Sequence, residues 1–279
     1  MVSFCKMQAI GNDFIIVESK SLPSGIDKAE LSRKMCDRHF GIGSDGLLLL
    51  EPSDKAPWRM IMLNVDGTEG HCGNGLRCLA RYIFDKKYVN SPIFEVETIR
   101  GVQTLEMVLK DGVVDNVVAN MGVPILERSE IPVAGEGDSP VINLPINIEG
   151  TIYNGTCLSM GNPHAVIFCE DPYKIPLESI GPKIENHPLF PERTNVEFVS
   201  VESPQKLIMR IWERGCAITL GSGSGSSAST AAAKLNNLVD DEVEVSMPGG
   251  TLKVQWKGPG EPLYSIGPAH HVFTGEFIN

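Results

Sequence analysis

The sequence predicts an α+β protein of two similar halves, and three observations carry that expectation. Short apolar runs of strand character outnumber stretches of helical spacing. Two glycine-bearing features recur at one interval, Gly11-Asn12 returning as Gly161-Asn162 and Gly73-x-Gly75 as Gly223-x-Gly225, each 150 residues later. The length of 279 residues suits two domains. Pro- and Gly-containing sequence from Pro124 to Pro140 reads as the connection between them.

In chain order, Val2 to Met7 and Asp13 to Glu18 read as strands around the turn Ile10-Gly11-Asn12. Lys28 to His39 reads as a helix opened by Asp27 as N-cap. Trp58 to Asn64 is a strand that ends at the turn residues Asp66-Gly67. Leu76, Leu79, Ala80, Ile83 and Phe84 then recur at helical spacing, so a helix begins near Asn74 or Gly75. Val102 to Leu109 and Val113 to Met121 flank Asp111-Gly112, a hairpin signal. The second half repeats this vocabulary. Strands are expected at Thr151 to Ser159, Ala165 to Cys169, Val196 to Val201 and Leu207 to Trp212, and one helix face is marked by Ala228, Ala231, Ala232, Leu235 and Val239. Val243 to Met247, Thr251 to Trp256 and Tyr264 to Ile266 follow as strands, the first two around Pro248-Gly249-Gly250.

Composition narrows the function. Hydrophobic residues at 42% and charged residues at 21% describe a folded chain rather than a disordered one. With 24 basic against 35 acidic side chains the net charge is −11, which repels phosphate backbones and anionic lipid, so neither nucleic acid nor a membrane surface is an expected partner. Apolar runs such as Leu47 to Leu50 fall short of the roughly 18 residues of a spanning helix. Met1 to Ile10 lacks the regions of a signal peptide, and a cytoplasmic location is expected. The seven cysteines, at 5, 36, 72, 78, 157, 169 and 216, are an odd set that reads as reduced thiols. Cys72 and Cys78 are too widely spaced for a zinc knuckle and no second CxxC or HxxxH completes one, so no metal site is expected.

The chemistry concentrates at the repeated turns. In each half a Gly-rich turn leads into a helix, so backbone N–H groups and the positive end of the helix dipole favour an anion there. Cys72 stands immediately before Gly73-Asn74-Gly75, where a helix N-terminus favours thiolate. Ser222 holds the equivalent place. The run Gly221 to Ser227 resembles a flexible linker by composition, but a strand precedes it and an alanine-rich helical stretch follows, which is the context of an anion-binding turn.

Seven motifs in series then resemble one family: Gly11-Asn12-Asp13-Phe14, Gly41-Ile42-Gly43-Ser44-Asp45-Gly46, Asn64-x-Asp66-Gly67, Cys72-Gly73-Asn74-Gly75-x-Arg77-Cys78, Gly161-Asn162-Pro163-His164, Thr194-Asn195-Val196-Glu197 and Glu213-Arg214-Gly215. Their order and spacing over nearly the whole chain are similar to those of diaminopimelate epimerases. The resemblance implies two similar lobes, each a mainly antiparallel sheet curled around a central helix, with the active site in the cleft between them. The N-terminal lobe, with the Cys72 half-site, is expected over 1–123, rejoined by a C-terminal strand within 264–279. The C-terminal lobe, with the Ser222 half-site, is expected over 124–263. The resemblance further implies a homodimer that interconverts LL- and meso-diaminopimelate without pyridoxal phosphate or another cofactor, for lysine and peptidoglycan synthesis.

Inversion at an α-carbon requires a base on one face and an acid on the other, so two opposed thiols suit it. Without a cofactor to spread the carbanion, charge collects on the substrate carboxylate. Backbone N–H groups around Gly73-Asn74 and Gly223-Ser224 would stabilise that charge as an oxyanion hole does. By matching motif, Asn12, Asn64, Asn162 and Asn195 resemble the family's substrate-binding asparagines, and Glu213 with Arg214 the pair that holds the distal end of the substrate. Arg214 can grip a carboxylate bidentately and Glu213 can receive the ammonium beside it. His164 is expected to steady the second thiol position, and Asp66 reads equally as a turn residue. One departure stands out: the place of the second catalytic cysteine holds Ser222, and the cysteine often found five positions on is Ser227. A hydroxyl is a far weaker acid than a thiol. The chain therefore reads as a Cys-to-Ser form of an epimerase, altered or drifted. A racemase of another amino acid and a non-catalytic amino-acid-binding homologue remain the alternatives.

Overall fold

In the structure, a computed structural model that describes residues 1–278, the turn Ile10-Gly11 folds strand Val2–Ala9 back antiparallel on strand Asn12–Glu18. Gly11 takes φ 86°, a left-handed conformation that glycine adopts without the Cβ penalty. The chain divides into two units, Met1–Asn120 with the segment from Ile266 onward, and Met121–Ser265.

In the first unit the C-terminal strand His270–Phe277 pairs antiparallel with Val2–Ala9. On the other side Asn12–Glu18 runs parallel to Gly46–Glu51, which pairs antiparallel with Trp58–Asn64. Trp58–Asn64 is parallel to Ile93–Thr98, and hairpins through Gly101–Lys110 and Val113–Asn120 complete the sheet. Two helices join it, α1 (Lys28–Cys36) and α2 (Gly73–Asp85). Residues 73–80, Tyr82 and Ile83 of α2 are all buried, so the helix has almost no solvent face and must be enclosed. The sheet does this by curling: α2 touches strands across the pairing order, from Val2–Ala9 through to Val113–Asn120.

The second unit repeats the plan. Val141–Ile148, Thr151–Ser159 and Pro163–Phe168 pair antiparallel in succession. Pro163–Phe168 is parallel to Asn195–Ser203, which pairs antiparallel with Lys206–Glu213. Lys206–Glu213 is parallel to Glu242–Met247, and a hairpin adds Gly250–Gln255. Helix α3 (Leu177–Glu185) packs outside, and α4 (Gly223–Leu235) is the buried centre. Helices α2 and α4 have 13 residues each and start 150 residues apart. Gly161 has φ 84°, matching Gly11. Each unit thus has the expected α+β architecture of a curled, mainly antiparallel sheet around one helix.

Several boundaries differ from the expectation for physical reasons. Asp27 does cap α1, accepting from Ala29 N (2.9 Å) and Glu30 N (3.1 Å). The helix stops at Cys36 rather than His39, because the Asp37 carboxylate draws the N–H groups of His39 (2.7 Å) and Phe40 (2.8 Å) into a turn of their own. Helix α2 starts at Gly73, one residue before the apolar periodicity begins to speak. Gly46–Glu51 is a strand with both faces buried, so its leucine run lacks the alternation that marks a half-exposed strand. Ile93–Thr98, Val141–Ile148 and α3 have no counterpart in the sequence expectation, whereas His270–Phe277 is the C-terminal strand that the family resemblance implies within 264–279. Helix α3 carries Pro182 inside nine residues, and His270–Phe277 is an edge strand with mostly exposed side chains. The segment 124–140 is packed rather than a free connection: Ile125 bridges Ser159, and Ile131 and Val133 are buried. Met121 N donates to Leu263 O (2.8 Å) and Leu263 N to Gly122 O (2.9 Å), which ties this stretch into the second unit. No helix among the described residues is long and apolar enough to cross a membrane.

Candidate active site

Cys72 is the N-cap residue of α2, with extended backbone (φ −145°, ψ 123°) and its carbonyl accepting from Leu76 N at 2.9 Å. The sulfur is half-buried at the point where first-turn N–H groups have no partner within the helix. Asn74 and Arg77 behind it are both wholly buried. Arg77 Nη2 donates to Asn74 Oδ1, Asn74 Nδ2 to Asn12 Oδ1 (2.5 Å), and Asn12 Nδ2 to Asp45 Oδ2 (3.0 Å). Arg38 bridges Asp45 and Asp13, each at 2.7 Å, and Lys6 reaches Asp13 at 2.6 Å. Asn12 is therefore fixed by a chain that runs back to α2. Burial lowers the Arg77 guanidinium to about 10, opposed by the thiols of Cys78 and Cys72. Burial, with Arg100 adding to it, pushes the His71 imidazole beside Cys72 down to about 4, so that ring is neutral near pH 7.

Ser222 occupies the same place on α4, with nearly the same backbone (φ −135°, ψ 124°). Its Oγ accepts from Gly225 N at 3.1 Å and lies 3.4 Å from Ser224 Oγ. The hydroxyl is thus a working helix cap, and the N–H it uses is one that a thiolate there would use. Ser226 and Ser227 turn their hydroxyls onto Gly223 O at 3.0 and 2.8 Å. Gly223 and Gly225 are buried, and Ser224 is half-buried. His164 lies at 1% exposure in the neighbouring strand, its Nδ1 2.6 Å from Glu197 Oε1.

The other residues singled out by motif divide in two. Asn162 is half-buried and its Oδ1 is a buried acceptor with no hydrogen-bond partner, a site that calls for a donor. Arg214 is half-buried, with one guanidinium N–H on Glu192 O (3.0 Å), and among the described residues the rest of the fork makes no hydrogen bond. Glu213 accepts from Thr219 Oγ1 at 2.5 Å. Asn195 also serves the structure: its Nδ2 donates to Pro163 O (2.8 Å) and its Oδ1 accepts from Arg214 N (2.9 Å). Asn195 therefore sets the backbone that carries Arg214. Asn64 donates to Thr68 Oγ1 (3.0 Å), and Asp66 Oδ1 accepts from Thr68 N (2.9 Å) and Oγ1 (2.6 Å), so Asp66 shapes the turn.

The sequence reading gave no role to Glu197, nor to Arg77 and the Arg38–Asp13–Lys6–Asp45 network. Arg77 carried a signal, an arginine one helical turn from Asn74 within an apolar helix. Glu197 stands in the motif Thr194-Asn195-Val196-Glu197, but its role is not legible there, because its partner is 33 residues away and on another strand. No group of three or more His, Cys, Asp or Glu side chains able to hold a metal ion occurs among the described residues.

This architecture has close parallels among solved structures. A hydroxyproline epimerase from Agrobacterium vitis superimposes with a TM-score of 0.72 at 15% identity, covering 98% of this chain and 91% of that one. A PhzF-family phenazine biosynthesis protein from Bacillus anthracis gives 0.70 at 15% identity, covering 100% and 99%. The chain thus has the fold of that group of two-unit α+β proteins. Sequence takes the assignment further. The diaminopimelate epimerase family matches residues 4–126 and 156–272. Diaminopimelate epimerase of Desulfitobacterium hafniense is 46% identical over 276 residues, 98% of this chain and 97% of its own length. That of Carboxydothermus hydrogenoformans is 46% identical over 282 residues, 99% and 100%. The chain belongs to the diaminopimelate epimerase family.

Proposed function

We propose that this chain acts on diaminopimelate as an LL-to-meso epimerase that needs no pyridoxal phosphate, weakened in its present form by Ser222. One observation carries the reading: the same helix-capping turn is built twice, 150 residues apart, with Cys72 and Ser222 at the capping position. Epimerisation needs an acid/base group for each face of one α-carbon, and the duplication supplies two such groups on equal backbones. Cys72 takes the α-hydrogen as a proton, the electron pair moves onto the substrate carboxylate, and first-turn N–H groups of α2 and α4, at Gly73-Asn74 and Gly223-Ser224, stabilise that charge. Residue 222 returns a proton to the opposite face. Asn12, Asn64 and Asn162 bind the reacting end. Arg214, with Glu213, receives the distal carboxylate and ammonium, and Asn195 holds Arg214 in place. His164 supports residue 222.

We further propose a cytoplasmic homodimer. Exposed Val272 and Phe273 on the C-terminal edge strand support an interface there. Sedimentation of the full chain should give twice the chain mass. The Ser222 hydroxyl itself favours a second reading, an amino-acid-binding homologue without turnover. Proton NMR in deuterated water separates the two: the epimerase reading expects wash-in of deuterium at the α-carbon of one stereoisomer, while binding alone gives none. A substrate panel in which proline exchanges faster than diaminopimelate would move the assignment to a racemase.

A further inference from the structure

Arg214 stands in a turn whose conformation is held from outside. The turn closes through Cys216 N on Glu213 O (3.0 Å) and places Gly215 at φ 77° and Ala217 at φ 60°. Glycine takes a left-handed conformation freely, whereas the Cβ of an alanine there crowds the backbone. Strain of this kind persists where the surroundings over-determine it. Two consecutive backbone N–H groups show which surroundings do so. Arg214 N donates to Asn195 Oδ1 (2.9 Å) on the neighbouring strand, and Gly215 N donates to Glu185 Oε1 (3.0 Å) on the last residue of α3.

Glu185 does more than accept that one bond. Its side chain is 6% exposed, Oε2 accepts from Trp212 Nε1 at 2.6 Å, and Oε1 also takes Arg193 Nη1 at 3.2 Å. Trp212 precedes the Glu213–Arg214 pair and Gly215 follows it, so one carboxylate fastens the chain on both sides of the pair. Arg193 adjoins Glu192, whose carbonyl accepts from Arg214 Nη1 at 3.0 Å, so the same carboxylate also fastens the segment on which the guanidinium rests. Helix α3 is pressed onto this arrangement: a Cβ on Gly181 would lie 2.6 Å from Trp212 Cγ, and only glycine permits that approach. Packing alone does not call for a charge here, since a buried carboxylate is costly to desolvate and an apolar side chain could cover the indole. The charge also bears on the guanidinium. A carboxylate with unfilled oxygens draws a neighbouring arginine into an ion pair. With three donors on its two oxygens, Glu185 has Arg193 as its ion partner, and the rest of the Arg214 fork stays open to a ligand.

We infer that Glu185 is the positioning residue of the distal site, locking the strained turn so that the Arg214 fork is set in advance for the far carboxylate of a dicarboxylic amino acid. It acts at one remove from the ligand, through Trp212, Gly215 and Arg193. The inference deepens the diaminopimelate reading and rests on it for the identity of the ligand, whereas the locking of the turn stands on the contacts of Glu185 alone. Its consequence is selectivity: a ligand with a distal carboxylate gains from the locked turn, and one that ends in a methyl group does not. Fixing the fork before binding spares the ligand the cost of ordering it.

Calorimetry on the full chain compares α-aminopimelate, which carries the distal carboxylate, with α-aminoheptanoate, which ends in a methyl group. Glu185→Gln keeps the shape but turns an N–H toward one of the three donors. It should weaken α-aminopimelate binding about tenfold or more and leave α-aminoheptanoate within about twofold. Glu185→Asp retains a carboxylate and should recover most of that loss. In an Arg214→Ala background, Glu185→Gln should add less than about twofold, because the two residues act as one unit. Equal losses for both ligands, or the full loss again without Arg214, would overturn the inference. Hydrogen exchange of the ligand-free chain reads the turn by itself: peptides across 212–218 should exchange about tenfold faster in Glu185→Gln, and those across Gly250–Gln255 should not change. Unchanged exchange across 212–218 would overturn the inference whatever the chain binds. Should Glu185→Gln fold poorly, Trp212→Phe removes the indole donor, keeps a ring against Gly181 and should move both readouts in the same directions. Unmoved readouts in folded Trp212→Phe would equally overturn the inference. Faster exchange at the turn, alongside no binding of diaminopimelate by the parent chain, would support the locking role of Glu185 and count against the epimerase reading.

Discussion

At position 222 a hydroxyl satisfies the geometry of the turn, and the difference from a thiol appears only when a proton must move. Ser222 Oγ already takes the Gly225 N–H at 3.1 Å, so Ser222→Cys changes acidity with little change of shape. Epimer formation, followed by chiral chromatography, should rise about 10²-fold or more, the scale of a general acid brought into range. Equal rates in the two forms would remove residue 222 from proton delivery. Arg214 offers a separate test. Arg214→Ala should weaken diaminopimelate binding by about 2–5 kcal/mol and alanine binding far less, since only the longer ligand has a distal carboxylate. Calorimetry showing equal losses would take Arg214 out of the distal site. Both side chains could be named from sequence because the turn and the Glu-Arg pair are local patterns. Glu197 could not, since its meaning lies in a contact made by strand register rather than by spacing along the chain.

Among the elements, α2 and α4 show why the two capping turns were legible alongside most of the strands. A glycine-rich turn in front of a helix is written in a few consecutive residues, and the 150-residue offset doubled that signal. A strand buried on both faces, such as Gly46–Glu51, or an exposed edge strand, such as His270–Phe277, loses the alternation that sequence patterns rely on. The two central helices also differ in a measurable way. Replacing a helical glycine by alanine gains about 0.8–1 kcal/mol of propensity, provided the methyl fits. At Gly75 the added Cβ would meet Leu48 and Phe14 at 3.3 Å, and a small adjustment accommodates it. At Gly225 it would come within 2.7 Å of Ile211 Cδ1, with Ser222 Cβ at 3.1 Å and Glu197 Oε1 at 3.2 Å leaving little room to yield. Thermal melts should therefore show Gly75→Ala within about 1 kcal/mol of the parent and Gly225→Ala destabilised by about 1–3 kcal/mol. The reverse order would mean that the second turn is looser than these distances describe.

Across the whole molecule the two units repeat one plan but carry their charge differently, and acid should separate them. In the first unit Asp13, Glu18 and Glu51 are held below the ordinary carboxylate range. For each, burial works to raise the value and is outweighed by donors: Arg38 and Lys6 for Asp13, Lys20 with Tyr88 and Tyr82 for Glu18, Lys28 and Ser19 for Glu51. In the second unit the fully buried Glu197 moves the other way, raised by burial against the pull of His164. The signs follow from linkage. A carboxyl with a depressed folded value contributes stability that is present above its unfolded value, near 4, and is lost as pH falls through the folded one. A carboxyl with a raised folded value costs stability above that value and relieves the cost on protonation. Lowering the pH from 7 to about 3 should thus weaken the first unit more than the second, because three of its carboxylates begin to surrender their partners while Glu197 is already protonated. Hydrogen exchange by mass spectrometry, with protection factors corrected for the intrinsic pH dependence, can follow both units in one experiment. Peptides from Val2–Ala9, Asn12–Glu18 and Gly46–Glu51 should lose protection before those from Asn195–Ser203 and Lys206–Glu213. Simultaneous loss in both sets would show that the units unfold as one at low pH, or that the Asp13, Glu18 and Glu51 pairs contribute nothing measurable to the first.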